Sequence, residues 1–346
     1  MPFILPFFSS IFILLFFLFP FLARAQQYTI SGYLEDESTG EKLIAANVFD
    51  ARSGAGAVTN TYGFFSLTLP EGEVELAFSY IGYQSQTETF ELTENRTFNI
   101  RLSPAVELAT VEVTADRTER IEQRTQMSRV EVPVDQIKRI PALLGEVDVL
   151  KALQLLPGVQ SGGEGQNGLY VRGGSPDQNL VLLDGVPVYN VSHLLGIFSV
   201  FNADAIKNVT LTKGGFPARY GGRLSSVLEI NMKEGNLQEW HGEGAIGLIS
   251  SKLTLQGPIN SGKTSFLVSG RRTYADLIFK PIIKASTPPD ESIDVGLYFY
   301  DLNAKLQHKI NDQHRLYLSA YTGADVFTNR YEDEFGAFEG GIDWGN

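Results

Sequence analysis

Cysteine is absent from the 346-residue chain, and histidine, methionine and tryptophan are scarce. Without cysteine there is no disulfide, no thiolate metal site, no catalytic thiol and no lipid-modified cysteine behind a leader peptide. The four histidines, His193, His241, His308 and His314, show no paired metal-ligand spacing. We therefore expect neither a metal nor a cofactor, and we interpret the histidines as satisfied or solvent-facing side chains.

Positive charge is also in short supply. The chain has 28 Lys and Arg against 40 Asp and Glu, which gives a net charge of −12 at pH 7. A protein that neutralises a phosphate backbone needs a basic surface, so the composition argues against nucleic acid as a partner. No Ser/His/Asp or paired-carboxylate arrangement stands out from spacing alone, and we predict that the protein is not an enzyme.

Glycine and aromatic residues are plentiful, and the length suffices for more than one domain. The 34 Gly, 14 Tyr and 23 Phe suit a chain of many strands and turns. Hydrophobic residues make up 43% and charged residues 20%, as is usual for folded protein. The composition therefore predicts a folded, mainly β protein.

The first residues predict export from the cytosol. Residues 3–22 form an almost uninterrupted apolar run, and Ala23-Arg24-Ala25 fits the small-x-small pattern that signal peptidase cleaves. An uncleaved membrane anchor is the alternative, because the run is long and no Lys or Arg precedes it. Pro20 and the Ala-x-Ala motif favour cleavage, so we predict a signal peptide over 1–25 and a mature chain that begins at Gln26.

Residues 26–104 are predicted to form a small antiparallel β-sandwich. Apolar residues alternate along three segments, at Phe65, Leu67 and Leu69, at Val74, Leu76, Phe78 and Tyr80, and at Phe98, Ile100 and Leu102. The motifs Ser38-Thr39-Gly40-Glu41, Thr59–Leu67 and Tyr80-Ile81-Gly82-Tyr83 make the segment similar to a carboxypeptidase regulatory-like domain, a transthyretin-type sandwich. No histidine precedes His193, so zinc peptidase chemistry is not expected, and the segment is interpreted as a spacer or docking module.

The most specific motifs of the chain lie between residues 129 and 236. They comprise Leu150–Val159, Gly168–Asn179, Leu180–Tyr189, Ile206–Arg223 and the predicted strand Val227–Met232. A short helix is predicted over 150–156 and a buried strand over 180–183, turning at Asp184-Gly185. Together these motifs resemble the α+β plug domain of TonB-dependent outer-membrane receptors.

This resemblance implies particular contact residues. Residues 105–128 correspond to the connector that carries the TonB box, so Val111, Glu112, Val113 and Thr114 are candidates for TonB contact by strand addition. An ordinary linker strand is the alternative. Arg172, Arg219 and Arg223 are candidates for pairing with acidic groups on a barrel wall, and solvated surface charges are the alternative.

Residues 237–346 are predicted to begin a transmembrane β-barrel. Alternating positions carry Tyr298, Tyr300, Leu302, Ala304 and Leu306 on one face and Asp301, Asn303, Lys305 and Gln307 on the other. One apolar and one polar face suit a strand with lipid outside and water inside. Further alternation at 244–256, 265–274 and 315–320 predicts four or five strands, with long connections at 276–295 and from 326. A plugged outer-membrane transporter has about 22 strands, so we expect the chain to be the N-terminal part of a truncated barrel.

Two nucleotide-binding patterns are rejected. Residues 257–264 match a phosphate-binding P-loop letter for letter, but the following Ser265–Ser269 is strand-like, whereas a P-loop requires a helix. Gly163, Gly165 and Gly168 fit a dinucleotide fingerprint, but no strand precedes them in a βαβ unit and Leu169–Arg172 continues extended, so we interpret them as a loop.

These expectations combine into energised uptake of a scarce solute, such as a siderophore, vitamin, peptide or glycan, across the outer membrane. By resemblance the partners are TonB with ExbB and ExbD, together with membrane lipid, and a surface lipoprotein partner is left open. Two alternatives remain. One is an exported binding or adhesion protein that uses the sandwich and plug for recognition without transport, and the other is an exported hydrolase.

Overall fold

The computed structural model describes residues 26–105, 128–142, 145–162, 168–260, 262–288, 291–311, 314–333 and 336–345. The predicted signal peptide and the TonB-contact candidates Val111–Thr114 lie outside the described residues, as do Gly163 and Gly165. The chain divides into two compact units. One unit comprises residues 1–37 and 42–125, and the other comprises residues 38–41 and 126–346.

The first unit is a β-sandwich of two sheets. Its strands are β1 (Gln27–Asp36), β2 (Asn47–Asp50), β3 (Gly56–Val58), β4 (Phe64–Pro70), β5 (Gly72–Ser79), β6 (Gln86–Leu92) and β7 (Arg96–Leu102). One sheet has the order β4-β1-β7 and the other β3-β2-β5-β6. The pairing of β1 with β7 is parallel, and the other pairings are antiparallel. The predicted sandwich is therefore observed.

Period-two alternation places the apolar side chains of both sheets in one core. Phe65, Leu76 and Phe78 are at most 1% exposed, and the rings of Phe65 and Phe78 meet edge to face with centroids 5.8 Å apart. Neighbouring residues on each strand point to the other face and remain accessible. The sandwich therefore has a core of its own, which the alternation predicts.

The second unit begins with a mixed domain, called the central domain here, over residues 128–236. Its elements are β8 (Arg129–Pro133), α1 (Val134–Lys138), α2 (Val149–Leu153), β9 (Val159–Ser161), β10 (Leu169–Val171), β11 (Asn179–Leu183), β12 (Val186–Pro187), β13 (Ser192–His193), β14 (Phe198–Ser199), β15 (Ile206–Thr212) and β16 (Ser226–Met232). Five strands form a sheet in the order β12-β11-β16-β15-β8, in which only the β11–β16 pair is parallel. The short α2 packs its apolar face against this sheet in one buried cluster.

Local sequence signals set the ends of these elements. Asp148 caps α2 by accepting hydrogen bonds from the N–H groups of Leu150 and Lys151 at 2.9 and 3.1 Å. The β11–β12 hairpin turns at Asp184 and Gly185, whose φ angles of 47° and 83° suit a two-residue turn with both residues left-handed. The predicted short helix and the predicted turn are thus both observed.

The second unit ends in a six-stranded antiparallel sheet, called the strand wall here. Its strands pair in sequence order and comprise β17 (His241–Ile246), β18 (Ser250–Asn260), β19 (Thr264–Thr273), β20 (Ser292–Lys309), β21 (Arg315–Asp333) and β22 (Gly336–Gly345). The helix α3 (Ala275–Ser286) joins β19 to β20. In the described residues no helix is long and apolar enough to cross a membrane.

The strand wall differs from its prediction at three places. A turn at residues 247–249 divides the predicted strand 244–256 into two. The predicted long connection from 326 is instead a continuation of β21, which pairs with β22 from Ala324↔Gly345 to Asp333↔Gly336. The connection at 276–295 contains a helix. The described residues therefore form six wall strands, not four or five. The turn divides one predicted strand into two, and the glycine-rich and charged residues near the end still form backbone ladder bonds.

Candidate functional site: the interface between the central domain and the strand wall

Alternation along the wall strands gives the wall two chemically different faces. Apolar side chains on one face are exposed, and they comprise Leu253, Leu255, Ile259, Val268, Leu302, Leu316 and Leu318. On the other face of β20 the polar residues Asp301, Asn303, Lys305 and Gln307 are buried. The sequence predicts that this polar face borders water. It lies instead against the central domain, whose side chains occupy that side of the wall.

His193 lies at the centre of a fully buried polar contact in this interface. Its Nε2 is 2.6 Å from Oδ1 of Asp301 on β20, and its Nδ1 is 2.7 Å from Oδ2 of Asp325 on β21. All three residues are at most 3% exposed. The imidazole also stacks on Phe299, with centroids 4.2 Å apart and planes 7° from parallel. The hairpin of β13 and β14 thereby presents one side chain of the central domain to two wall strands.

The turn that follows His193 is held by the same aspartate. The Leu194 N–H donates to Oδ1 of Asp325 at 2.7 Å. Leu194 has a φ angle of 49°, a left-handed conformation that is costly for a residue with a β-carbon and persists where surrounding contacts fix it. Asp325 therefore fixes both the imidazole and the backbone of this turn.

Arg271 connects a third wall strand to this group. Its guanidinium donates to Asp301 through Nε at 2.8 Å and also through Nη2, and its Nη1 lies 3.3 Å from Oε2 of Glu146 in the central domain. Nη2 also donates to the carbonyl oxygen of Ser199 at 2.9 Å. Arg271 is 4% exposed, so burial of its charge depends on these partners.

Protonation of His193 is favoured by its two neighbours. Burial lowers the pKa of the imidazole, but hydrogen bonds and charge interactions with Asp301 and Asp325 outweigh burial and raise it above the ordinary value. Tyr321 donates a further hydrogen bond to Oδ1 of Asp301 at 2.9 Å. His193, Arg271, Asp301, Asp325, Glu146 and Tyr321 are called the histidine cluster below.

A second ionic contact joins α1 to the wall through Asp204. Oδ1 of Asp204 is 2.6 Å from Nζ of Lys138 on α1, and Oδ2 is 2.7 Å from Nζ of Lys252 on β18. Lys138 also lies 3.3 Å from a carboxylate oxygen of Glu243 on β17. Burial raises the pKa of Asp204, but the two lysines outweigh it and the pKa lies below its ordinary value. This carboxylate is therefore charged at neutral pH.

A third contact uses the tip of the β11–β12 hairpin. Oδ2 of Asp184 is 2.9 Å from Nζ of Lys305 on β20 and accepts a 2.5 Å hydrogen bond from Oγ of Ser319 on β21. Its Oδ1 accepts from the N–H of Met232 at 2.9 Å. Lys305 donates in addition to the carbonyl oxygen of Met232 at 3.1 Å. The left-handed turn at Asp184 thus delivers a carboxylate to the wall.

The three arginines that the sequence singles out make their described contacts elsewhere. Arg172 donates to Oγ of Ser128 at 3.1 Å. Arg219 donates to the hydroxyl of Tyr220 at 2.8 Å and lies over that ring, and Arg223 donates to the carbonyl oxygen of Gly222. None of these partners belongs to the six wall strands, so the pairing of Arg172, Arg219 and Arg223 with a barrel wall stays a prediction.

The P-loop pattern occupies a β-hairpin. Residue Asn260 pairs with Thr264 across the turn, and β19 begins at Thr264 where a P-loop would begin a helix. Among the described residues no group of three or more His, Asp or Glu is arranged to hold a metal ion.

Both domains match known families. Residues 122–226 match the family model described as the TonB-dependent receptor plug domain, and residues 30–114 match the carboxypeptidase regulatory-like domain. The chain carries the plug domain of the TonB-dependent receptors. The central domain is therefore called the plug domain from here on.

Several characterised proteins are similar to this chain. The TonB-dependent receptor SusC of Bacteroides thetaiotaomicron is 27% identical over 62% of this chain and 22% of its own length. The vitamin B12 transporter BtuB of Vibrio vulnificus is 31% identical over 38% of this chain and 22% of its own. The ferrienterobactin receptor of Escherichia coli is 31% identical over 32% of this chain and 17% of its own. The chain thus spans at most 22% of these relatives.

Solved structures that align with this chain include the siderophore receptor PirA of Acinetobacter baumannii. It aligns with a TM-score of 0.42 and 18% identity over 66% of this chain and 40% of that chain. The outer-membrane transporter YddB of Escherichia coli aligns with a TM-score of 0.34 and 13% identity over 63% of this chain and 38% of that chain.

The histidine cluster is the part of the site that sequence reasoning misses. Its members lie up to 179 positions apart, from Glu146 to Asp325, and no spacing rule connects them. One signal was present, because the strict alternation of β20 placed Asp301 and Lys305 on one face together. Which plug side chains would meet that face depends on tertiary packing, which periodicity does not encode.

Proposed function

We propose that the protein is a TonB-dependent outer-membrane receptor that takes up a scarce solute with energy supplied from the inner membrane. The observation that carries the proposal is the two-faced strand wall, which has an exposed apolar face and a polar face covered by a plug domain. The exposed apolar face can contact lipid because its side chains have no hydrogen-bonding groups that would lose water. The second face suits a plug that occupies the interior of a barrel.

The chemistry of the covered face suits a plug that has to move. Its contacts with the plug include ion pairs and hydrogen bonds from Asp184, Asp204 and the histidine cluster, beside a small apolar cluster of Leu194, Phe198 and Phe299. Water can replace such partners when the plug shifts, whereas a continuous apolar interface would expose hydrocarbon to water. The polar part of the interface therefore permits displacement at moderate cost.

The proposal assigns roles to segments outside the described residues. Residues 1–25 direct export and are removed, and 105–128 form the connector on which TonB, driven by ExbB and ExbD, pulls through Val111–Thr114. The sandwich at 26–104, the plug at 129–236 and the barrel strands from 237 complete the organisation. The similar proteins are named as receptors or transporters, which supports a role in uptake over catalysis.

The solute is proposed only by class, as a siderophore, vitamin, peptide or glycan. The printed names of two relatives refer to vitamin B12 and ferrienterobactin, which supports a scarce nutrient. Arg172, Arg219 and Arg223 are proposed to pair with acidic residues of barrel strands beyond the six described.

Cross-linking tests the partner without knowledge of the solute. Because the chain lacks cysteine, Glu112→Cys introduces a single thiol at the proposed contact, and a cysteine-substituted TonB reports proximity as a disulfide. Ser53→Cys, in an exposed turn of the sandwich, is the matched control. We expect cross-linking from the first variant and a much weaker signal from the second, with the full-length protein in the outer-membrane fraction. A soluble periplasmic protein, or equal cross-linking from both positions, would contradict the proposal.

A further inference from the structure

The contacts of His193 require one proton more than a neutral imidazole supplies. Each ring nitrogen faces a carboxylate oxygen, Nε2 at 2.6 Å from Asp301 and Nδ1 at 2.7 Å from Asp325. A neutral imidazole has one N–H and one lone pair, so one of the two contacts would oppose a lone pair to a carboxylate. An imidazolium donates to both carboxylates.

The charges around the ring point the same way. Wall strands contribute Asp301 from β20, Asp325 and Tyr321 from β21, and Arg271 from β19, and the plug contributes Glu146. Three carboxylates then face one guanidinium, which leaves a net charge of minus two in a buried site. A proton on His193 reduces this excess, and the two aspartates accordingly raise the pKa of the imidazole against the effect of burial.

We propose that His193 is a proton-dependent latch, which binds a proton when the plug rests on the wall and releases the hairpin at 192–199 when that proton is lost. The inference rests on the proposed function, since it concerns how the plug of a receptor is held. In the closed state the imidazolium joins the plug to two wall strands. When the hairpin leaves the wall, the ring enters water and its proton passes to a water molecule above its ordinary pKa of about 6.5.

The direction of the pH effect follows from linkage. The pKa is raised in the closed state, so the latch is strongest at acidic pH and weakens as pH rises towards the closed-state value. Between the open-state and closed-state pKa values the fraction of open molecules rises by up to about tenfold per pH unit. Above the closed-state value it becomes constant.

A thiol reporter measures this opening directly. Ser199 pairs with Ser192 in the latch hairpin, is 1% exposed, and its Oγ has no hydrogen-bond partner among the described residues. Ser199→Cys therefore introduces a single buried thiol in the full-length receptor, purified in detergent. The rate of maleimide labelling between pH 6 and pH 9 is divided by the rate for Ser53→Cys, which removes the intrinsic pH dependence of thiol reactivity. We expect the corrected rate to rise by up to about tenfold per pH unit above pH 6.5.

Two substitutions test whether protonation of His193, rather than the packing of its ring, holds the hairpin on the wall. Asp325→Asn leaves Oδ1 to accept from the N–H of Leu194 and places an amide donor opposite Nδ1 of His193, so a neutral imidazole satisfies every contact. In this variant we expect protection at all pH values and no slope. His193→Gln removes the titrating group, and we expect fast labelling that does not depend on pH.

The outcomes decide between a latch and an ordinary buried histidine. A flat pH profile in the protein with native His193, or an unchanged slope in Asp325→Asn, overturns the proposal. If His193→Gln does not reach the membrane, the Asp325→Asn result still decides. Maleimide labelling requires neither solute nor TonB, so it tests the latch separately from the transport role. If the labelling rate depends on pH but the cross-linking to TonB fails, the latch is retained and only the transport role is rejected.

Discussion

Arg271 illustrates how much a single buried charge contributes to the interface. It pairs with Asp301 and Glu146, donates to the carbonyl of Ser199 and lies over the ring of Phe299 at 4.9 Å. Arg271→Ala would leave Glu146 buried without its cation and would leave Asp301 with His193 as its remaining cationic partner. We expect a loss of stability of about 3 to 5 kcal/mol, measured as chemical unfolding of the purified receptor.

The adjacent residue provides the control for this substitution. Arg272 points to the exposed face, where its guanidinium lies 4.9 Å from the ring of Tyr298. Arg272→Ala removes the same charge one position away, and we expect a loss of about 1 kcal/mol or less. Equal effects of the two substitutions would show that the cluster does not hold the plug on the wall.

Asp204 gives the interface a pH dependence opposite to that of His193. Its folded-state pKa lies below the ordinary value of 3.8, so its contribution is present above that value and is lost as pH falls through the folded value. Asp204→Asn should therefore destabilise the protein by about 2 kcal/mol at pH 7, and the difference from the native protein should shrink towards pH 3. Melting temperatures at both pH values measure this effect.

An exposed carboxylate serves as the comparison for the acid effect. Glu94 lies in an exposed turn of the sandwich, and Glu94→Gln should leave the melting temperature unchanged at both pH values. A difference for Asp204→Asn that persists undiminished at pH 3 would mean that the amide disturbs packing and that the ion pairs with Lys138 and Lys252 contribute little.

Among the structural elements, the segment that leaves β16 passes unusually close to the wall. Gly235 has a φ angle of 83°, and a β-carbon added there would lie 2.3 Å from the carbonyl oxygen of Phe266 on β19. Gly235→Ala should therefore force this segment away from the wall and strain its backbone. We expect a loss of at least about 1 kcal/mol from the left-handed backbone alone, measured as a lower unfolding midpoint.

Another glycine of the plug separates this effect from a general intolerance of alanine. Gly221 has no heavy atom within 4 Å of an added β-carbon and has no left-handed φ. Gly221→Ala should leave the midpoint within experimental error. If both substitutions behave alike, the close approach at Phe266 does not position the plug.

Elements with strict periodicity were the most predictable from sequence. The run from Tyr298 to Gln307 predicted a two-faced strand, and Asp184-Gly185 predicted a turn, because side-chain alternation and left-handed φ are local properties. The helix α3 was missed, since Pro281 inside it and the absence of a side-chain cap at Tyr274 remove the usual signals. Strand β22 was missed because glycine and charged residues have little intrinsic preference for strands.

For the whole molecule, the fold class was predictable from the sequence, whereas the candidate site was predictable only in part. Motifs in the plug segment indicated the family, and alternation indicated a wall with two faces. The partner of the polar face was not predictable, because contacts such as His193 with Asp301 join segments 108 positions apart. Local pattern determines which side chains share a face, and only the packed structure determines what covers it.

The proposed membrane location of the protein rests on the exposed apolar face of the wall. A single charge introduced on that face tests whether the face contacts lipid. Leu318 on β21 is 65% exposed, and an arginine on the lipid face costs up to about 4 kcal/mol, depending on its depth in the bilayer. Leu318→Arg should therefore reduce the fraction of folded receptor in the outer membrane. Ile81→Arg, at a position 62% exposed in the sandwich, places the same charge where water is expected and should have no effect. The side chains of Leu318 and Ile81 are similarly accessible in the chain alone, so only a surrounding hydrocarbon phase distinguishes the two positions. Equal amounts of the two variants in the outer membrane would place the apolar face of the wall in water.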